Sequence, residues 1–447
     1  AEAEGIYEEV EVEDPPVEEK LMDAPVKAVN PTLQSTGSNH LLMFAVDFPD
    51  CSFKKTYTAE QIKEISFGAA DPSSKFYPLE SVIGYYERRS YGALEMEADV
   101  FTYTAQNNID SYVSNGTVNS DKLVEEIMSA FDSQLDYNYY DVNTDGTMDT
   151  ILLSIADNAD TDTWWPCSGG YYGRKTYDGI KPGNVIFGST SPSYTAEYNN
   201  TWIHELGHAM GLPDYYKYEN TQDGYYGLNG DAGWEMMDDA MGDMSAFSKL
   251  MYGWYTDSQV QVYSGGTQTY TLQSSQEAAN CVLIPCGDLN GYLSEYMLLE
   301  YATPTGNNTK GGYQDYMYTL FRNGGLRVMH CEASVSNGYW GPEFTWNNYG
   351  KNYDSSNQKQ RVIRLANESE GGSFFNAGQT IDGNISGFHW YDSSGYQTVD
   401  TGVKITVDSI ADNLRELNIG IRRCGRNPFA ALAHINIFYI FGEEIKT

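Results

Sequence analysis

Basic residues are scarce in this chain: 27 Lys and Arg stand against 62 Asp and Glu, for a net charge of -35 over 447 residues. Phosphate backbones and anionic lipid headgroups repel so acidic a surface, which argues against nucleic acid and anionic membranes as partners. Long apolar runs are missing as well. No stretch reaches the ~20 apolar residues that cross a bilayer, so no membrane span is expected. Cysteine is limited to Cys51, Cys167, Cys281, Cys286, Cys331 and Cys424, with neither a C-x-x-C pair nor zinc-finger spacing. Cys281 and Cys286 share one apolar run and either pair or remain buried thiols. No signal peptide stands at residue 1, and the chain reads as a mature or trimmed form. The 37 Tyr and 43 Gly beside few Lys suit an exported protein.

What is present is concentrated in TWIHELGHAMGLPDYY, which sets His204, Glu205, His208 and Asp214 in the order H-E-x-x-H-x-x-G-x-x-D. Two imidazoles four residues apart lie on one helix face, about a turn from each other, and both reach one metal ion. That is zinc-site spacing. Glu205, beside the first ligand, is placed to accept a proton from a metal-bound water without itself binding the metal. Gly211 lets the chain leave the helix abruptly and Pro213 prevents its return, so Asp214 falls where a third ligand is needed. A glutamate from farther on, Glu219 or Glu235, is the alternative. Downstream, GWEMMDDAMGDM puts Met237 where a tight methionine turn would form an apolar floor beneath the metal.

These residues resemble the M6 peptidases, secreted bacterial metalloproteases of the immune inhibitor A type. The resemblance rests on HELGHAMGLPD, then WEMM and SAFSKLMYGW. It extends through LLMFAVDFPD and SVIGYYERRSYGALEMEADV upstream, and EYMLLEY and GGLRVMHCEAS downstream, or roughly residues 38 to 335. It implies a zinc endopeptidase with a metzincin-like catalytic domain, calcium as a structural ion, and a β-rich region behind it.

Chain length suggests more than one domain. Residues 1–37 open with AEAEGIYEEVEVEDPPVEEK, too acidic and polar to order itself, and read as a tether. The catalytic domain spans residues 38–258. LLMFAVDF is a buried strand, Leu79, Val82, Ile83 and Tyr86 mark a helix, and Leu94, Met96, Ala98 and Val100 alternate as a half-buried strand. Leu123, Val124, Ile127 and Phe131 give a second helix, and ILLSIA another strand. Substrate is expected to lie along an edge strand before the zinc helix, somewhere in GNVIFGSTS. Residues 259–423 break into short alternating runs such as TYTLQSS and VKITVDSI, as in an antiparallel β-sandwich. Residues 424–447 are apolar and have no assigned role. The fold class is α+β.

YDVNTDGTMDTILL places Asp141, Asn143, Asp145 and Asp149 as D-x-N-x-D-G-x-x-D, oxygen donors at alternate positions with a glycine at the sharp turn. Such spacing suits Ca²⁺, although without the twelfth-position glutamate it is not an EF-hand, and a solvated Asx turn has the same composition. His330, at a strand end, reads as a hydrogen-bonded structural residue.

Together these features predict a secreted or cell-surface, zinc-dependent endopeptidase of protein or peptide substrates. His204, His208 and Asp214 hold Zn²⁺, Glu205 is the general base, and a tyrosine among Tyr215, Tyr216 and Tyr218 assists the oxyanion. A zinc hydrolase of non-peptide bonds, or a binding or adhesion protein with a degenerate zincin domain, stays open beside it. Oligomeric state is not legible.

Overall fold

The computed structural model describes residues 31–216, 233–238, 240–287, 289, 291–338, 341–346, 360–367 and 373–424. The segments 1–30 and 425–447, and with them most of the tether and the apolar C-terminus, lie outside the described residues.

The first body is built on five strands: β1 (Gly37–Asp47), β2 (Leu94–Thr104), β3 (Thr147–Ile155), β4 (Cys167–Gly170) and β5 (Lys181–Gly188). Their order is β2-β1-β3-β5-β4. All neighbours run parallel except β4, which runs antiparallel to β5 along the edge. Five helices accompany them: α1 (Ala59–Phe67), α2 (Val82–Arg89), α3 (Ser120–Phe131), α4 (Thr195–Ala209) and α5 (Ala246–Met251).

β1 is apolar without alternation because both its faces are covered. Leu41, Met43 and Ala45 join the core of α1, α2 and α4, while Leu42, Phe44 and Val46 join that of α3. β2, at the edge, buries only Leu94, Met96, Ala98 and Val100. The strands and helices read from periodicity are all present. α1 has no expected counterpart; its short, weakly apolar stripe is held by the Thr58 and Gln61 capping box.

Two adjustments follow. Residues 32–35, assigned to the tether, belong to the folded body: the Thr32 and Leu33 amides donate to the Ala209 carbonyl, and the Ser35 hydroxyl donates to that of Tyr252. GNVIFGSTS does not form an edge, because β5 carries β4 on its outer side. The open edge belongs to β4, whose glycines and polar residues gave no strand signal.

Behind this body lie two sheets. One joins Val260–Val262, Cys281–Pro285, Glu295–Ala302, Gly325–Glu332 and Ile363–Leu365; the other joins Thr267–Gln273, Thr380–Ile381, Val403–Ile410 and Glu416–Arg423. They share one apolar core, so the region is a sandwich, antiparallel apart from the pairing of Val260–Val262 with Cys281–Val282–Leu283. The five-stranded sheet is buried on both faces: Met297 and Leu299 point into the sandwich, whereas Leu298 and Met329 enter the core of α4 and α5. All six cysteines are free, including Cys281 and Cys286. Among the described residues no helix is long and apolar enough to cross a membrane.

Because Leu298 is fully buried where the sandwich meets the helices, Leu298→Ala is expected to lower unfolding free energy by about 2–5 kcal/mol in urea titrations. A loss below about 1 kcal/mol would contradict tight packing across this layer.

Candidate metal centre and active site

α4 is anchored on every side before it reaches the site. The Asn199 side chain donates to the carbonyls of Ile65 and Leu79, Tyr198 to the Ser154 hydroxyl, and the hydroxyls of Tyr86 and Tyr252 to the carbonyls of Ile203 and Gly207. At its C-terminus Gly211 takes φ +101°, and the Leu212 amide turns back to the Gly207 carbonyl at 3.2 Å. That reversal is a left-handed helix stop, a conformation a Cβ would strain.

The same reversal assembles the site. The Leu212 carbonyl faces His208 and accepts from its Nδ1 at 2.7 Å. His204 Nδ1 donates likewise to the Met236 carbonyl at 2.7 Å. With both Nδ1 atoms engaged as donors, both Nε2 atoms are left to face the same point. Asp214 Oδ1 meets them there, 3.0 Å from His204 Nε2 and 3.2 Å from His208 Nε2. A tetrahedral zinc site with bonds near 2.0 Å has donor–donor edges of about 3.3 Å, close to the two separations from Asp214, and all three donor atoms lie within 4.8 Å of one another. Among the described residues this is the one group of three His, Cys, Asp or Glu side chains that comes together in this way.

Charge couples the three side chains closely. Burial disfavours the charged imidazole, but the Asp214 hydrogen bond and charge, helped by Glu205, outweigh it and lift His204 to about 9. His208 is raised by the same balance. Burial also acts against the Asp214 carboxylate, yet the two imidazoles hold it well below the usual carboxylate range. A metal ion would take the place of the protons on both Nε2 atoms.

Glu205 is buried, 6 % exposed, and hydrogen-bonds to no described residue. Burial raises its carboxyl, with the charges of His204 and His208 opposing. The Cys167 thiol, on β4, is pushed up to about 12 by burial and then by the Glu205 charge, which puts the open edge strand beside the site.

Met236 and Met237 are fully buried. The Met237 thioether lies against Gly207, where a Cβ would collide with it, so the glycine inside H-E-x-x-H has a packing reason. The Met237 carbonyl accepts from the Tyr215 amide at 2.8 Å.

Of the tyrosines considered for the oxyanion, Tyr215 is buried and its hydroxyl is bonded to Ser248 at 3.0 Å, which removes it. The Tyr216 ring stacks near His204 at 6.4 Å. Tyr218 and Glu219 lie outside the described residues. Glu235 does not reach the trio, because its carboxylate is held by Met237, Ser245 and Ser248. His330 is fully buried between Glu295 and Gln397, a structural histidine.

In the acidic loop, Asp141 accepts from the amides of Asp145 and Gly146, Asn143 from that of Asp145, and Asp145 from that of Thr147. Thr144 and Gly146 adopt positive φ. Asp149 is buried, and its Oδ1 has no hydrogen-bond partner.

A His, His and Asp trio, buried except for the partly exposed His208, stands beside a glutamate without a hydrogen bond to the described residues, on a helix under a mixed sheet, as in a metallopeptidase type of site. Residues 168–242, from β4 through the methionine turn, match the sequence model of the family Peptidase M66. The likeness to M6 peptidases read from the motif is thus supported as a likeness to a metallopeptidase family, and the family matched is M66. No curated protein matches the chain.

The geometry gives Asp214 a direct test. Asp214→Ala is expected to abolish stoichiometric zinc, measured by atomic absorption on the dialysed protein. Full occupancy in that variant would place the third donor elsewhere.

Proposed function

We propose that this protein is a secreted zinc-dependent endopeptidase acting on protein or peptide substrates. The observation that carries the reading is the convergence of His204 Nε2, His208 Nε2 and Asp214 Oδ1 within 4.8 Å of one another, beside buried Glu205. When bound, Zn²⁺ polarises a scissile carbonyl and lowers the pKa of a water toward about 7. The protein's own residues do the rest. The carbonyls of Met236 and Leu212 hold the imidazole tautomers, and Glu205 accepts the proton of the attacking water and returns it to the leaving amine. Its raised pKa, and its lack of a hydrogen bond to the described residues, suit both halves of that transfer.

An extended substrate adds to the open edge of β4 through main-chain hydrogen bonds, and Tyr216 is the candidate donor to the developing oxyanion. Met237 beneath Gly207 supports a metzincin-like reading of the first body. An adhesion protein with a degenerate site would have no need of an intact, buried Glu205.

We further propose Ca²⁺ at Asp141, Asn143, Asp145 and Asp149, supported by the orphaned Oδ1 of Asp149. The acidic composition, with 27 Lys and Arg against 62 Asp and Glu, fits secretion or display at the cell surface.

Glu205→Gln is expected to keep zinc and lose 10²- to 10⁴-fold of casein-cleaving activity, the usual effect of removing a general base. Activity within about threefold of the parent would remove Glu205 from the mechanism.

The calcium site has a pH signature. Burial, then the charges of Asp141 and Asp145, raise Asp149 to about 7 against only the Val142 amide, so its ionisation opposes the metal-free fold. That cost is absent below pH 4 and develops as pH rises through about 7. In EGTA, Asp149→Asn should therefore melt above the parent at pH 8 but not at pH 5. Millimolar calcium should raise the melting temperature of the parent alone. No response to calcium would leave an ordinary turn.

A further inference from the structure

We infer that Glu235 is a positioning residue for the metal centre, holding two of its three donors through one buried carboxylate. This rests on the zinc reading above.

Glu235 is fully buried and both its oxygens are used. Oε2 accepts from the Met237 amide at 2.5 Å, closing the turn in which the Asp238 amide also returns to the Glu235 carbonyl at 3.0 Å. That turn aims the Met236 carbonyl at His204 Nδ1 and seats the Met237 thioether on Gly207. Oε1 accepts from the Ser245 amide at 3.0 Å and from the Ser248 hydroxyl at 2.6 Å.

Since a carboxylate only accepts, the Ser248 proton is committed to Glu235, and the Tyr215 hydroxyl must donate to Ser248. Tyr215 is pinned a second time by its amide on the Met237 carbonyl. It directly follows Asp214, so both ends of Tyr215 fix where that ligand sits. One side chain thus joins the start of α5, the methionine turn and the residue after Asp214. His204 is oriented through Met236 and Asp214 through Tyr215, while the Nδ1 of His208 is held by the Leu212 carbonyl.

A neutral amide of the same shape cannot accept at all these points, because one of its ends carries hydrogens toward an N–H or O–H donor. Glu235→Gln should hold zinc 10- to 100-fold more weakly in a chelator competition, as partners behind metal ligands typically do. Its kcat should fall at limiting zinc and return to within about threefold at saturating zinc, with KM unchanged, because no group that meets substrate is altered. Ser248→Ala keeps the turn but cuts the link to Tyr215, and a smaller weakening is expected.

Leu298→Ala serves as the control for general destabilisation and should leave zinc affinity unchanged well below its melting temperature. If Glu235→Gln folds and holds zinc as tightly as the parent, the inference is overturned. If Glu235→Gln does not fold, the decision passes to Ser248→Ala, whose unchanged zinc affinity overturns it equally. A parent that binds no zinc would instead overturn the zinc reading.

Discussion

Because Gly211 turns the chain through φ +101°, the segment from Leu212 to Asp214 runs back beneath α4, and the whole centre depends on that reversal. It delivers the Leu212 carbonyl to His208 and Asp214 to both Nε2 atoms within a few residues. A helix that continued would carry Asp214 away along its axis, about 1.5 Å per residue. The stop is sharp because its conformation is cheap only for glycine, and Pro213 forbids a further turn of helix.

The reversal does not support itself. α4 is among the most enclosed elements of the molecule, touched by α1, α2, β4 and β5. The Tyr86 and Tyr252 hydroxyls bind it laterally, and its own Asn199 side chain donates to the Ile65 and Leu79 carbonyls. Opposite Gly207 stands the methionine turn, whose carbonyl completes the hold on His204. The sandwich adds a second support: the five-stranded sheet gives one face to its own core and the other to α4 and α5. The hairpin at Lys310–Thr319 also reaches the start of α4, where the Gln314 amide donates to Glu197 at 3.0 Å. Such enclosure suits a centre whose donors must hold to a few tenths of an ångström.

The acidic balance of the chain is consistent with this architecture. Among the described residues, some of its buried carboxylates are held by several partners. Asp243, for example, receives Lys249, Gln276 and Asn307 at the junction of α5 with the sandwich. Buried charges of this kind are tolerated because each is paired and hydrogen-bonded.

By itself the sequence determined the centre and the strands around it. H-E-x-x-H-x-x-G-x-x-D is a local code, since helical spacing places both imidazoles and a glycine stop places the aspartate, all within eleven residues. The continuous run at Leu41–Phe48 and the alternation at Leu94–Val100 were equally legible, because burial on two faces or one writes its period into the residues. Tertiary structure decided what has no such period. That β4 and not β5 forms the open edge follows from pairing between segments whose glycine and polar residues carry no strand signal. That Tyr215 is a buried strut and Glu235 a clamp follows from contacts across 33 and 13 residues of chain to Ser248. A carboxylate in a segment between elements looks the same in sequence whether it binds a metal or a backbone amide. Only the approach of distant chain segments selects its partner, and with it its role.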